Sequence, residues 1–183
     1  MVIKIPITPF HMTFAWAFHR LTGKRTVQPA LLIGSMVPDI EIPFLVFVGY
    51  TYPHTRLVLH SFLGGAILGT LIAIGLLYIV FPFVAAFFTG RAPSEIKNMY
   101  NFKNVVISSL IGVVFLHVFI DALHHPYNPL FWPFTPENIT LFVIGNYALT
   151  TVYIHIISGI PLVIIILYLI IKRDSELWAK WLL

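Results

Sequence analysis

The chain has 183 residues, of which 58% are hydrophobic and 10% charged, with a mean hydropathy of +0.90; soluble domains carry about 25% charged residues, so these values indicate a single integral membrane domain over 1–183. The net charge of +4 comes from basic residues gathered at segment ends, which suits membrane topology and anionic headgroups and argues against a nucleic-acid partner. Cysteine is absent, which excludes disulfides, thiolate metal sites and cysteine nucleophiles.

The first predicted element lies in TPFHMTFAWAFHRL. Thr8 followed by Pro9 is an N-cap and first-turn signature. A helix of about 13 residues is too short to cross a bilayer, so it is expected to be re-entrant or interfacial, with His19 beside Arg20 at the interface. It does not resemble a cleaved signal, because it contains His11 and the basic group Arg20, Lys24 and Arg25 follows it.

Four apolar regions come next. The first runs from Pro29 to about Tyr50, interrupted by Pro38, Asp39, Glu41 and Pro43. The second runs from Leu57 to Phe88 and is expected to tilt or to break near Pro82. The third covers Val105 to Leu123, and the fourth about Ile139 to Ile171, with Gly145, Asn146 and Pro161 as weak points. Arg20, Lys24 and Arg25 precede the first region, Arg91, Lys97 and Lys103 separate the second from the third, and Lys172, Arg173 and Lys180 follow the fourth. Only Arg56 lies between the first two, and residues 124–138 hold no lysine or arginine. Four spans with both termini cytoplasmic satisfy the positive-inside rule at every loop. The tail KRDSELWAKWLL sets Leu177, Trp178, Trp181 and Leu182 at helical spacing and predicts an interfacial anchor. The expected fold is therefore an all-α, polytopic membrane helical bundle of about four spans, flanked by a short N-terminal helix and a C-terminal interfacial helix.

The polar residues within these regions can share a depth. At 1.5 Å per residue, His11 lies about 13 Å from Arg20, and Asp39 about 15 Å from Pro29. His117 and Asp121 lie about 20 and 25 Å beyond Asn104, and His60 about 6 Å below Arg56 from the opposite side. An acid at mid-span costs about 2.5–3.5 kcal/mol, and a divalent cation bound jointly by histidines and carboxylates offsets several such costs in one place. His117 and Asp121 share one helix face, one turn apart, and can grip one ion; a histidine bonded to its neighbouring acid in a packed bundle is the plainer reading. Asp39 and Glu41 point about 200° apart in an unbroken helix. Pro38 disfavours a helical Val37, and an extended backbone there would turn both acids the same way.

Phe10-His11, then Ser35-Met36-Val37-Pro38-Asp39-Ile40-Glu41, Leu59-His60-Ser61, His117-x-x-x-Asp121 and Trp132-Pro133-Phe134 occur in that order. This series resembles the YdjM-like family of membrane-bound metal-dependent hydrolases over about residues 8–134; residues 139–183, the last span and tail, carry none of its motifs. The resemblance implies a metal site built from His11, Asp39, Glu41, His60, His117 and Asp121. Leu59 stands where the family often has a hydroxyl, and Thr55-Arg56-Leu57 replaces a common H-R-G, with His54 one place out of register.

Glu41 is then either a further ligand or the general base. Arg56 is a phosphate or carboxylate anchor, or an arginine snorkelling to the interface. His124 shares the face of His117 and Asp121 and is a ligand, a group supporting the ligands or a proton shuttle. His125 reads as an interfacial cap, and His155 as a lone histidine bonded to a carbonyl. Asn138-Ile139-Thr140 forms a glycosylation sequon too close to the membrane to count. The absence of G-x-S-x-G, phosphate-loop and G-x-G-x-x-G motifs leaves serine-hydrolase and nucleotide readings without support.

The expected function is a membrane-embedded metal-dependent hydrolase with one or two divalent ions, zinc being expected, acting on an ester or phosphoester of a membrane lipid or lipid-linked substrate. The alternative is a metal-ion or proton transporter using the same intramembrane site, and a third reading is an accessory subunit whose polar cluster fixes helix packing.

Overall fold

A computed structural model describes residues 8–51, 54–125, 127–135, 137–139 and 146–183. Four of its helices are long and apolar enough to cross a membrane: Gln28–Phe47, Phe62–Ile79, Phe102–His124 and Tyr147–Lys172. The described residues contain no strand. The all-helical, four-span expectation therefore holds, with shifted boundaries and a second span that starts five residues later than Leu57. Residues 140–145, which include Thr140 and Gly145 of the fourth apolar region, lie outside the described residues.

Burial sorts the spans. The first and third are 61% and 56% buried inside the protein, the second and fourth only 28% and 22%, so the first pair forms the centre and the second pair offers apolar faces to lipid. Phe47, Phe83, Phe87 and Ile171 are among the exposed apolar side chains, as a lipid-facing surface requires.

The central pair meets backbone to backbone. A Cβ added to Gly34 would lie 2.7 Å from the Ser109 carbonyl oxygen, and one on Gly112 would lie 2.7 Å from that of Leu31. Only glycine permits this approach, the usual device of close helix contacts in membranes. Ser108 adds a tie, its hydroxyl accepting from the Val27 N–H at 2.9 Å.

The first span bends where Pro38 interrupts it, but the break is not extended backbone. Val37–Ile40 form a 3-10 turn, with the Asp39 N–H donating to the Met36 carbonyl at 3.3 Å, and a helix resumes over Glu41–Phe47. Proline's fixed φ suits such a turn, and its missing N–H costs nothing in the first turn, where the N–H has no partner within the helix. The second span opens at Phe62, where the Ser61 hydroxyl accepts from Gly64 N–H at 3.0 Å; it carries a π-helical stretch at Gly65–Gly69 and ends at Ile79, ahead of a separate helix at Phe81–Thr89 with Pro82 in its first turn. The third span holds a second π-helical stretch, Val114–Phe119. The fourth runs unbroken through Pro161.

The helix His11–Leu21 packs between the first and fourth spans. Its C-terminal His19 is buried rather than interfacial, accepting from or donating to the Thr26 hydroxyl at 2.9 Å; burial and then the nearby Arg20 and Lys24 charges lower its pKa. The tail helix Ser175–Leu182 starts on the Asp174 side chain, which accepts from Glu176 N–H at 2.8 Å. It docks on the protein: Ala179 and Trp181 are buried, Trp178 stacks on Phe88 with ring centres 4.5 Å apart, and Gln28 donates to the Trp181 carbonyl.

Candidate metal centre

The close contact of Gly34 and Gly112 has a chemical result one turn further along. It brings the Ser35 carbonyl to His117, whose Nδ1 lies 2.7 Å from that oxygen. A carbonyl only accepts, so Nδ1 carries the proton and the lone pair of Nε2 points the other way. His60 is fixed by the same logic. Its Nδ1 lies 3.0 Å from Glu41 Oε1, so it donates there and leaves its Nε2 lone pair free.

The two Nε2 atoms face each other at 3.4 Å. Asp39 Oδ1 joins them at 3.4 Å from His60 and 3.5 Å from His117. Asp121 Oδ2 closes the group at 3.8 and 3.6 Å from the same nitrogens. All four residues are buried. These separations exceed the 2.7–3.2 Å of N–H···O hydrogen bonds; no closer donor reaches Asp39 among the described residues, and Asp121 is approached within that range by Arg56 and His11, from outside the four-donor group. Four of the five separations match the edges of a tetrahedron around a zinc-sized ion, about 3.3–3.6 Å for ligand distances of about 2.0–2.2 Å, and the His60–Asp121 separation of 3.8 Å is slightly longer.

The charges agree. Three buried carboxylates, Asp39, Glu41 and Asp121, face one buried guanidinium, Arg56, whose Nη2 is 3.1 Å from Asp121 Oδ2. With neutral imidazoles this leaves two negative charges, the complement of one divalent cation. Arg56 is therefore neither exposed nor snorkelling. The donor set, its spacing and its charge fit a divalent ion, and the cluster can hold one.

The structure brings His11, Asp39, His60, His117 and Asp121 together. His11 stacks on His117 with ring centres 4.2 Å apart, bonds the Leu116 carbonyl through Nδ1 at 3.0 Å, and sets Nε2 3.2 Å from Asp121 Oδ1. Glu41 lies behind His60 instead of beside the four donors. Its oxygens accept from Leu57 N–H at 2.5 Å, Leu59 N–H at 2.7 Å and His60. His124 lies on the far side of Asp121, 3.8 Å from Oδ1. His54 stands apart, paired with the Tyr127 hydroxyl at 2.7 Å. His155 bonds the Thr151 carbonyl at 2.6 Å, as read from the sequence, and also lines a small cleft with Phe10, Phe14, His11, His124 and His125.

Sequence reasoning missed two kinds of contributor. The Ser35 and Leu116 carbonyls orient imidazoles, but backbone oxygens leave no trace in residue type. His125 is not the interfacial cap expected from the sequence; its extended backbone (φ −107°, ψ 138°) returns the ring to Asp121, with Nε2 3.7 Å from Oδ1.

A family model for the YdjM inner membrane proteins matches residues 8–183. The chain belongs to the YdjM inner membrane protein family. The match to this YdjM family takes in the fourth span and tail, beyond the residues where its motifs are visible. No curated protein and no solved structure matches the chain.

Proposed function

We propose that the protein is a divalent-cation-dependent hydrolase that works within the membrane on an ester or phosphoester of a lipid or lipid-linked substrate. One observation carries the reading: two imidazole lone pairs and two carboxylate oxygens, acceptors all, converge on one buried point. An isolated buried charge is costly and an unpaired pair of them more so. A cation held by Asp39, His60, His117 and Asp121 relieves that cost, and zinc suits the nitrogen and oxygen donors. When bound, it supplies Lewis acidity toward a water and a substrate oxygen.

The chain's own residues do the rest. Glu41 holds the tautomer of His60 that presents Nε2, a carboxylate–histidine support, and with three donors on its oxygens it is not the base. Arg56 pairs with Asp121 at 3.1 Å. His155, its Nδ1 spent on a carbonyl, lines the cleft and is placed to accept a proton from water there. The cleft walls combine Phe10, Phe14 and Ile154 with histidines, which suits a headgroup attached to an acyl or isoprenoid chain.

Purified protein assayed on short-chain phospholipids and a chromogenic phosphodiester is expected to hydrolyse at least one of them, to stop with chelator and to resume with zinc. His117→Ala and Asp39→Asn should lose bound cation and more than about 100-fold in turnover, the upper end of what losing a merely supporting group costs. Cation flux into liposomes with no turnover of any ester would move the assignment to a transporter.

A further inference from the structure

We infer that Asp121 serves two cations: Oδ2 faces the four-donor cluster, while Oδ1, with Nε2 of His124 and of His125, forms a second divalent-cation site on the wall of the cleft. The inference rests on the metal-centre reading above. The three donor atoms lie within 4.8 Å of one another, and Oδ1 is 3.8 Å from His124 Nε2 and 3.7 Å from His125 Nε2. Both distances are too long for hydrogen bonds. His124 gives its Nδ1 proton to the Ile120 carbonyl at 2.9 Å, which leaves Nε2 as an acceptor facing an acceptor. Asp121 is 1% exposed, yet neither Oδ1 nor His125 Nε2 has a hydrogen-bond partner among the described residues. His11 Nε2 approaches the same Oδ1 at 3.2 Å from the stacked side, with its Nδ1 spent on the Leu116 carbonyl.

Local structure explains the grouping. Positions 121 and 124 are one turn apart at the end of the third span, so their side chains fall on one side of the helix. The helix stops at His124, and the extended backbone of His125 carries the second imidazole back over the acid.

The two sites differ in access. Four protein donors surround the first, so a water or substrate oxygen there takes a fifth position, whereas the second has fewer donors and borders the cleft, which leaves positions open. One carboxylate bridging two cations is the arrangement of two-metal hydrolysis. Since one divalent ion neutralises the buried charges, a second leaves two positive charges at the cleft, which selects an anionic phosphoester over a neutral carboxylic ester.

Equilibrium dialysis of the detergent-solubilised full chain against zinc, read by elemental analysis, is expected to give two ions per chain. The His124→Ala/His125→Ala double variant should retain one. Manganese-loaded wild-type protein should show a spin-coupled paramagnetic resonance spectrum, a readout that needs no variant to fold. One ion in wild type and double variant alike, with an uncoupled manganese spectrum, would overturn the second site and leave the first standing; two ions retained in the double variant would overturn the ligand assignment. No bound ion in the wild-type protein would remove both sites.

Discussion

Each imidazole in the cluster is aimed by what its other nitrogen touches. His117 is aimed by a backbone carbonyl, His60 by Glu41, and Glu41 by two loop amides, so orientation passes from the loop at Leu57–Leu59 to the centre through a single acid. Glu41→Gln therefore disturbs this orientation and at the same time removes one of the buried negative charges. An amide oxygen can still accept from one loop N–H, but its NH2 has no acceptor opposite, and the support of His60 weakens. We expect cation affinity to fall about 10–100-fold, the usual cost of losing such a partner, with the helical content unchanged by circular dichroism; unchanged affinity in a dialysis titration would count against the role. His117 and Asp121 were legible in the sequence because helical periodicity alone makes them neighbours. Glu41's role was not, because its partners are main-chain amides of an irregular loop, and nothing in residue type marks those.

The elements show the same division. Pro38 announced a break in the first span, and the break is there, but its form depends on hydrogen bonds that a proline can join as readily as prevent. The 3-10 turn keeps the chain compact enough for Asp39 and Glu41 to meet His60 from two sides, at 3.4 Å from Nε2 and 3.0 Å from Nδ1. The contact of the first and third spans is set by two glycines whose meaning was hidden, since an isolated glycine in an apolar run also occurs for looser reasons. Gly112→Leu would drive a side chain into the Leu31 carbonyl. Overpacking of this kind costs about 1–3 kcal/mol or more, and it separates Ser35 from His117. A lowered midpoint in a detergent thermal melt, together with lost zinc binding, is the expected pair of results; a stable variant with full zinc content would show that the backbone approach does not position the site.

At the scale of the whole molecule, the apolar runs carried most of the architecture, because bilayer thickness acts on composition directly. The docking of the tail was less visible: its amphipathic face suits lipid, yet Trp181 and Ala179 turn inward to protein. We propose that both termini are cytoplasmic and that the cleft opens toward the opposite face. The absence of native cysteine makes this easy to check. Lys24→Cys and Lys172→Cys should resist a membrane-impermeant thiol reagent applied to intact cells, while Thr135→Cys should react; the reverse pattern would invert the topology.

The distribution of the donors along the chain has a consequence for how the protein is made. Asp39 and Glu41 enter the membrane with the first span, His60 arrives just ahead of the second, and His117 and Asp121 come only with the third. Until residue 121 has left the ribosome, the early acids have no complete partner set and sit among lipid or insertion machinery. A partly inserted chain is thus marked by unpaired charge within the membrane. Closing the centre, once the third span is in place, is the event that ends that exposure.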